Sequence, residues 1–492
     1  HPNCTLEKYA PVSSVQAFES EQSKQIQAGV AWMHTSYVSG IVQKVADLLD
    51  YPVLPDKEAL EKEVNLLLET KPREYLDMLL DVFPAGILSA AIWNYFQKNG
   101  KVAELKKLIR LQPMSDKSNY QPVLDFFTEK LATALKNNKP YTKVICTQAM
   151  ALSALCDAVI FYNTDLLLSK TKSKAPLLKI DVYLTDPLTE GAVHFKDALR
   201  ALTELQQNQM NLYSVALSEN SVDTLFEKQH FAALCSIPFK RNPLVRPGFC
   251  DAKNDNSNKF DSPVHLTLQG LSQITIEPKE KIAAIMLGSQ ASSDAIHYIN
   301  PLLEQGIDKV FVFGGRNTSI QDYIAEYKAD FPIEGGSVIL LQNQDDEAMA
   351  SLMSRCNILI IRSGGLTIME QMALNHSPLQ TLFIHYADAP LGVEPTTGIS
   401  WEDYNALLLI NYLKYQGIVC QKTSPNRIRR DLAHIRVPDE EGNSKWGEYL
   451  PIMLHLESAG SPHFFRAWSE SPDYNNAVVS TTTKPQLLSE FY

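Results

Sequence analysis

Residues Ile358–Glu370 have the sequence ILIIRSGGLTIME, in which a buried strand changes into a helix at two glycines. Four aliphatic residues without alternation are typical of a parallel strand that is covered on both faces. Gly364 and Gly365 let the backbone approach a ligand where a Cβ would block it. We expect a Cβ at either glycine to obstruct that ligand or to strain a positive φ.

The predicted helix start in this segment is a candidate anion site. Free amides at Leu366 and Thr367 would point at a phosphate, and the helix dipole favours negative charge there. Arg362 adds a fixed charge and a fork of donors. Glu370, one turn further on, is placed for the hydroxyl pair of a ribose. The two glycines would also suit an ordinary strand-to-helix turn of an α/β protein, so the pattern alone leaves both interpretations open.

The rest of the C-terminal half repeats the alternation of strand and helix. Apolar runs end in turns of small or polar residues, and amphipathic stretches follow them. Because parallel strands need crossover connections, this alternation predicts a doubly wound parallel sheet with ligands at the carboxyl ends of its strands. The predicted strands are 281–287, 309–313, 337–341, 358–361 and 379–385.

Residues 362–367, with Glu370 after them, resemble the Arg-Ser-Gly-x-x-Thr-x-x-Glu signature of GT-B glycosyltransferases. The most similar group contains the peptidoglycan N-acetylglucosaminyltransferase and the monogalactosyldiacylglycerol synthases. Two further stretches resemble the family in order and spacing. They are the turn Gly288-Ser289-Gln290, and the segment 402–406 with 415–418 after it.

This resemblance implies two Rossmann-like doubly wound domains that face a cleft, with extra helices in the N-terminal half. It also implies a nucleotide-sugar donor in the C-terminal domain and an acceptor in the cleft, with no metal and no cofactor. No Asp-x-Asp pair stands at a predicted strand end to hold a metal against a diphosphate. The donor-binding residues implied are Gly288, Ser289, Arg316, Arg362, Ser363, Gly364, Gly365, Thr367, Glu370, Asp403 and Asn405.

The N-terminal half resembles the same family more weakly. Residues 29–36 are similar to the loop that carries Gly-His in these enzymes, although Trp32-Met33 replaces its glycine pair. Residues 143–148 and 180–187 are similar to a mid-domain strand and to a Thr-Asp strand end. The resemblance makes His34 the first candidate for the general base and Asp186 the second, since either side chain can titrate near neutrality. The altered glycines leave open that His34 is only a histidine at a helix start.

The length of 492 residues is too great for one core and suits two or three domains. Two domains are predicted, 1–265 on the acceptor side and 266–430 for the nucleotide sugar. A tail at 431–492 follows them, which either crosses back onto the N-terminal domain or forms a separate contact surface. Residues 51–140 have apolar helical periodicity without strand runs, which predicts an inserted helical layer. Residues 242–263 have the composition of a linker or surface loop, and they lack the glycine and the final Glu of an EF-hand.

Charge and cysteine content limit the class of partner and the cell compartment. The net charge is −11, from 45 Lys and Arg against 56 Asp and Glu, whereas nucleic-acid binders carry a basic face. The seven cysteines are scattered, which favours reduced thiols over a disulfide framework or a metal site. No run approaches the ~20 apolar residues of a membrane span. These features predict a soluble, cytoplasmic protein.

Together these features predict a GT-B glycosyltransferase whose donor is a nucleotide sugar and whose acceptor is a lipid, a glycan or a protein. Two alternatives stay open at this stage. One is a nucleotide-sugar 2-epimerase on the same fold, which needs acid and base groups but no acceptor. The other is a partner-binding protein that keeps the nucleotide pocket without catalysis.

Overall fold

The computed structural model describes the chain from residue 57 to residue 435, with internal gaps. The gaps are 71–83, 110–119, 148, 150, 169–174, 188–192, 215–238, 242–244, 247, 250–258, 269–272, 289, 316, 332–336, 390–392 and 394. The predicted loop at 29–36, with His34, therefore lies outside the described residues, as does most of the predicted tail.

The described residues divide into two compact units. Among the described residues, one unit holds those up to Phe96 and those from Ala103 to Phe126, and the other holds Gln97–Val102 and those from Phe127 onward. Between residues 57 and 140 the described part of the chain contains helices and turns but no strand, as predicted. The longest of these helices are α1 (Lys57–Thr70), α2 (Pro84–Lys98) and α3 (Tyr120–Lys136).

The second unit contains a parallel sheet of four strands in the order β1-β2-β3-β4. Its first two strands fall within the predicted runs at 143–148 and 180–187, whereas the other two were not predicted. The second strand is buried along its whole length. The elements are β1 (Val144–Cys146), α4 (Leu152–Leu168), β2 (Ile180–Tyr183), α5 (Val193–Arg200), α6 (Glu204–Gln207), β3 (Met210–Ser214) and β4 (Phe239–Arg241).

The same unit contains an antiparallel hairpin, β5 (Val264–Leu266) with β6 (Ile274–Ile276), and a six-stranded parallel sheet. Five strands of that sheet coincide with the predicted runs to within two residues at each end. The elements are β7 (Ile282–Met286), α7 (Ile299–Glu304), β8 (Lys309–Phe313), α8 (Thr318–Asp330), β9 (Val338–Leu341), α9 (Asp346–Arg355), β10 (Ile358–Ile361), α10 (Gly365–Ala373), β11 (Thr381–His385), α11 (Ser400–Tyr415), β12 (Val419–Thr423) and α12 (Ile428–Ile435).

The order of this sheet is β12-β11-β10-β7-β8-β9. Numbered one to six along the chain, its strands follow the order 3-2-1-4-5-6 of doubly wound dinucleotide-binding folds. The order in which the chain adds strands therefore reverses between the neighbouring strands β7 and β10, because β8 and β9 extend the sheet on one side and β11 and β12 extend it on the other. The loops that leave these two neighbours run to opposite sides and open a crevice at their carboxyl ends.

Apolar side chains on both faces of the six-stranded sheet explain its four- and five-residue aliphatic runs. One face packs against α9, α10 and α11, and the other packs against α7, α8, α12 and the 3₁₀ turn Ser293–Tyr298. All four residues of β10 are buried. The prediction of an α/β protein with two Rossmann-like domains and extra N-terminal helices is confirmed.

Part of the predicted linker at 242–263 is buried, so its interpretation as a surface loop is wrong there. Phe249 belongs to the core on the α9 side, and the ring of Phe260 lies 4.6 Å from the Arg355 guanidinium carbon. The physical reason is that this polar, Pro-rich stretch also contains aromatic residues, and their large apolar surfaces favour burial. Among the described cysteines, Cys146, Cys156, Cys356 and Cys420 are free thiols.

Candidate functional site

The crevice between β7 and β10 is lined by two short loops. The turn after β7 holds Gly288 at φ +84, and Ala291 at φ +46. Positive φ is easy for glycine and costs an alanine about 1 kcal/mol or more, so this turn is under local strain. A Cβ at Gly288 would lie 3.6 Å from Arg362 Cδ, which places the two loops side by side. The motif at 362–367, called the first motif below, thus lies beside the Gly-Ser-Gln turn, as the resemblance implied.

Helix α10 begins at Gly365, with Gly364 as its N-cap at φ −61 and ψ 146. No side chain caps the first amides through the N-cap position. Neither glycine has a positive φ, so the expected backbone strain is not the reason for this pair. The reason at Gly365 is a close approach, because a Cβ there would overlap the Thr185 carbonyl oxygen and lie 2.5 Å from Asp186 Oδ1. A Cβ at Gly364 would meet only Glu402 Oε1, at 3.9 Å.

Asp186 follows β2 and is buried directly at the start of α10. Its carboxylate accepts hydrogen bonds from the Gly365 amide and from Asn405 Nδ2, the latter at 2.8 Å. The Thr185 hydroxyl lies 3.4 Å from its second oxygen. The side chain therefore lies at the start of α10, next to the Leu366 and Thr367 amides that the sequence analysis assigned to a phosphate.

The environment of Asp186 perturbs its acidity. Burial raises the pKa of Asp186 to about 6, the hydrogen bond from Asn405 opposes this rise, and the charge on Glu402 adds to it. A carboxyl group with a pKa near neutrality can accept or donate a proton at cellular pH. This property fits the predicted role of Asp186 as second candidate for the base.

Arg362 forms an ion pair with Glu402 of α11, with 2.9 Å between Nη2 and Oε2. The side chains are only 12% and 9% exposed, so water screens the pair little. Glu402 lies within the segment that resembles the family, but it was not predicted as a site residue. The only sequence signal for a role of Glu402 in the site was that it is an acidic residue next to Asp403.

Glu370 is 2% exposed and receives a two-point ion pair from Arg246, a residue of the predicted linker. Arg246 Nε lies 2.5 Å from Oε1, and Nη2 lies 3.1 Å from Oε2. Burial raises the pKa of Glu370, and the charge of Arg246 opposes that rise. No sequence signal could have connected these residues, since they are 124 positions apart.

Three further predicted residues have local roles in the structure. Asp403 accepts hydrogen bonds from the Thr396 hydroxyl at 2.6 Å and the Thr397 amide at 2.7 Å, and so fixes the loop before α11. Asn405 donates to Asp186 and to the Ser363 carbonyl oxygen at 3.1 Å. Thr367 is partly exposed in the first turn of α10. Ser289 and Arg316, like His34, lie outside the described residues.

Buried polar atoms without a hydrogen-bond partner occur in several parts of the described chain, and three of them belong to these motifs. They include Gln290 Oε1 in the turn after β7, Ser363 Oγ after β10 and Asn405 Oδ1 on α11. Burying a polar atom without a partner costs about 1–3 kcal/mol, so such atoms are rare unless a ligand completes them. At the crevice, a bound water or ligand beside the helix start would complete these three atoms.

A second polar network at the carboxyl edge of the sheet was missed by the sequence analysis. The Tyr298 hydroxyl lies 2.7 Å from His385 Nδ1, and His385 Nε2 lies 3.4 Å from Asp294. Burial works against ionisation of Asp294, but the hydrogen bond to His385 and its charge hold the pKa of Asp294 below its usual value.

Within the described part of the chain, no three His, Cys, Asp or Glu side chains are grouped to hold a metal. None of the described helices is long and apolar enough to cross a membrane.

No protein-family model matches the chain, and no curated protein matches it in sequence. Its fold is similar to several solved structures. Arabidopsis thaliana UGT89C1 complexed with UDP-L-rhamnose shares 11% identity over 79% of this chain and 80% of that one, with a TM-score of 0.37. Os79 from O. sativa in complex with UDP shares 8% over 71% and 79%, with a TM-score of 0.39. Acinetobacter baumannii MurG shares 10% over 70% and 79%, with a TM-score of 0.35.

At identities of 8 to 11% a likeness concerns the fold alone. The TM-scores of 0.35 to 0.39 add no argument about this chain. The strand order and the contacts at the crevice carry the interpretation of the site.

Proposed function

We propose that the chain is a glycosyltransferase that moves a sugar from a nucleoside-diphosphate sugar to an acceptor hydroxyl. One observation carries the proposal. At the crevice of a doubly wound sheet, α10 starts directly after Arg362 and Ser363, and the buried atoms Ser363 Oγ and Asn405 Oδ1 have no hydrogen-bond partner. Helix amides, a guanidinium and a hydroxyl are the groups that bind phosphate oxygens.

In this proposal the residues of the first motif hold the leaving group. The amides at the start of α10, Arg362 and Ser363 stabilise the negative charge that develops on the departing nucleoside diphosphate, with Ser289 in support. Glu370 accepts hydrogen bonds from the ribose hydroxyls, which requires Arg246 to release its carboxylate when the donor binds. In the proposal, transfer needs no metal because these donors stabilise the charge on the departing diphosphate. Gly288, Thr367, Asp403 and Asn405 contact the donor in this proposal, as does Arg316, which lies outside the described residues.

A general base must take the proton of the acceptor hydroxyl as the sugar is transferred. Asp186 is supported by its raised pKa and by its place at the start of α10. His34 is the competing candidate, supported by its place in the loop that resembles the family. Loss of the true base is expected to slow single-turnover transfer by about 10²–10⁴. Asp186→Ala and His34→Ala, compared under saturating donor, identify which residue it is.

The proposed activity is tested with a panel of UDP-, GDP- and dTDP-sugars, offered with lipid, glycan and protein acceptors, with and without EDTA. We expect one nucleotide to be released with formation of a new glycoside, and EDTA to leave the rate unchanged. Conversion of the sugar without a glycoside would indicate the 2-epimerase instead. Absence of binding and turnover with every donor would reject the enzyme proposal.

One observation favours a second candidate, a partner-binding protein that keeps the fold of a nucleotide pocket. The Gly365 amide, Arg362 and Glu370 are all engaged by side chains of the chain itself. In a protein that never binds a donor, these buried polar and charged groups would need internal partners at all times. Turnover of a nucleotide sugar separates the two, since a partner-binding protein that keeps the pocket can bind a nucleotide but transfers no sugar.

A further inference from the structure

The groups proposed to bind a diphosphate already hold two carboxylates of the chain. The Gly365 amide and the Asn405 amide donate to Asp186, and Arg362 pairs with Glu402. Carboxylate and phosphate oxygens are bound by the same amides and guanidinium groups, in similar geometry. Each carboxylate therefore stands where a phosphate group would find its donors.

The two carboxylates are also close to each other. A Cβ at Gly364 would lie 3.9 Å from Glu402 Oε1, and a Cβ at the next residue, Gly365, would lie 2.5 Å from Asp186 Oδ1. When both carboxylates are ionised they repel each other, so the charge on Glu402 contributes to the raised pKa of Asp186. A diphosphate has the same pattern, with negative charge on two adjacent phosphoryl groups.

We propose that Asp186 and Glu402 occupy the two phosphate positions of the donor site, so that the chain rests in a self-inhibited form which a diphosphate opens by competition. This inference rests on the proposed function and adds a mode of regulation to it. The donor must replace both carboxylates, and its apparent affinity is reduced by the fraction of molecules in the closed form.

The packing at Gly365 makes the competition steric as well as electrostatic. A Cβ on Gly365 would already overlap the Thr185 carbonyl oxygen, so no phosphate fits between α10 and Thr185-Asp186 in this form. Entry of a diphosphate requires the segment after β2 to move away from α10. The movement releases the Asp186 carboxylate from its buried contacts, which its proposed role as base for the acceptor hydroxyl requires. Donor binding and exposure of the base are thereby coupled.

The test is calorimetric titration of inorganic pyrophosphate into the full chain and into Asp186→Ala. Pyrophosphate carries the shared chemistry without committing to a base or a sugar. Asp186→Ala should bind it about tenfold more tightly, as expected if the open form is about a tenth of the wild-type population. Asp181→Ala is the matched control, because Asp181 is a buried aspartate of β2 that pairs with Lys143 and Asn211 instead. Its affinity should equal that of the wild type.

Glu402→Gln provides a second variant in case Asp186→Ala does not fold. Gln keeps the size of Glu402 and an acceptor for the Arg362 guanidinium, but it removes the negative charge that pairs with that guanidinium. We expect a gain of about threefold in pyrophosphate affinity from the freed guanidinium charge. Its control is Glu304→Gln, which removes the charge from an exposed pair with Arg429 and should change nothing.

Each outcome of the titrations decides between the claims. Tighter binding by Asp186→Ala or Glu402→Gln, with unchanged controls, supports the self-inhibited form. Equal or weaker binding in folded variants overturns the inference but leaves the phosphate site in place. Absence of pyrophosphate and nucleotide binding in every protein overturns the inference and the proposed function together.

Discussion

Asn405 Nδ2 donates a 2.8 Å hydrogen bond to Asp186 Oδ1, across 219 positions of sequence. The same amide donates to the Ser363 carbonyl oxygen at 3.1 Å. One side chain thus connects α11, the loop after β10 and the segment after β2. The hydrogen bond holds Asp186, which follows β2 of the four-stranded sheet, at the crevice of the six-stranded sheet.

The two adjacent glycines should respond differently to alanine. Gly365→Ala forces a Cβ against the Thr185 carbonyl and should lower the free energy of unfolding by about 1–3 kcal/mol, the usual cost of overpacking. Gly364→Ala is the control, because its Cβ finds free space and its φ of −61 suits any residue. Urea unfolding of both variants measures the difference. Equal loss in the two variants would show that Gly365 does not contact Thr185.

The acidity of Asp186 predicts how the contact with α10 depends on pH. Because burial raises its pKa to about 6, the contact is most stable when Asp186 is protonated and weakens as pH rises through about 6. The groups that face it are Glu402, which favours protonation, and the donors Asn405, Thr185 and Gly365, which oppose it. Pyrophosphate affinity of the wild type should therefore rise between about pH 4 and pH 7.

Asp186→Asn is the reference for that pH series, since pyrophosphate itself also titrates. Asn keeps an acceptor toward Asn405 and the Gly365 amide and places a donor near the Thr185 hydroxyl, so it maintains the contact without a charge. The ratio of wild-type to Asp186→Asn affinity should rise on the order of tenfold across this window. A constant ratio would mean that Asp186 does not titrate in the contact.

The sequence analysis located the strands of the six-stranded sheet because most of them are continuous aliphatic runs. β12 escaped it because Val419–Thr423 mixes polar and apolar residues and stands at the sheet edge, where only its last residue is buried. The motif at 362–367 was recognisable because its residues are consecutive. The partners of that motif were not, since Asp186, Arg246 and Glu402 reach it only through the tertiary fold.

The role of the glycine pair shows the limit of local inference. Two glycines before a helix indicate that something approaches closely, but they do not indicate what. At Gly365 the close neighbour is the Thr185 carbonyl, and at Gly364 there is open space. A positive φ was the wrong expectation because the strand-to-helix turn is made with ordinary backbone angles at Gly364.

The Arg246–Glu370 pair should stabilise the fold through a buried charge. Arg246→Met leaves the Glu370 carboxylate buried without a cation and should cost about 3 kcal/mol, the lower end for such a loss, because Arg246 is 29% exposed. Adding Glu370→Gln should recover most of that loss. A double-mutant cycle measured by urea unfolding isolates the coupling. Additive losses would show that the pair contributes nothing beyond its separate side chains.

Glu370 should also distinguish ribose from deoxyribose if it binds the donor as proposed. Glu370→Gln is expected to weaken binding of a ribonucleoside diphosphate about tenfold, the effect of losing one charge-assisted hydrogen bond. Binding of the 2′-deoxy analogue, which lacks one of the two hydroxyls, should weaken less. Calorimetry on both ligands gives the comparison. Equal weakening would remove Glu370 from the ribose site.

The central claim is that the loop from Arg362 to the start of α10 binds the diphosphate of a nucleotide. The most direct test is titration of the nucleoside diphosphate released in the donor panel, or of UDP, into the wild type and Arg362→Gln. Arg429→Gln is the control, because Arg429 pairs with Glu304 on the exposed surface. We expect Arg362→Gln to lose roughly ten- to hundredfold in affinity while the control stays unchanged. Equal affinity of folded Arg362→Gln and wild type would contradict the claim.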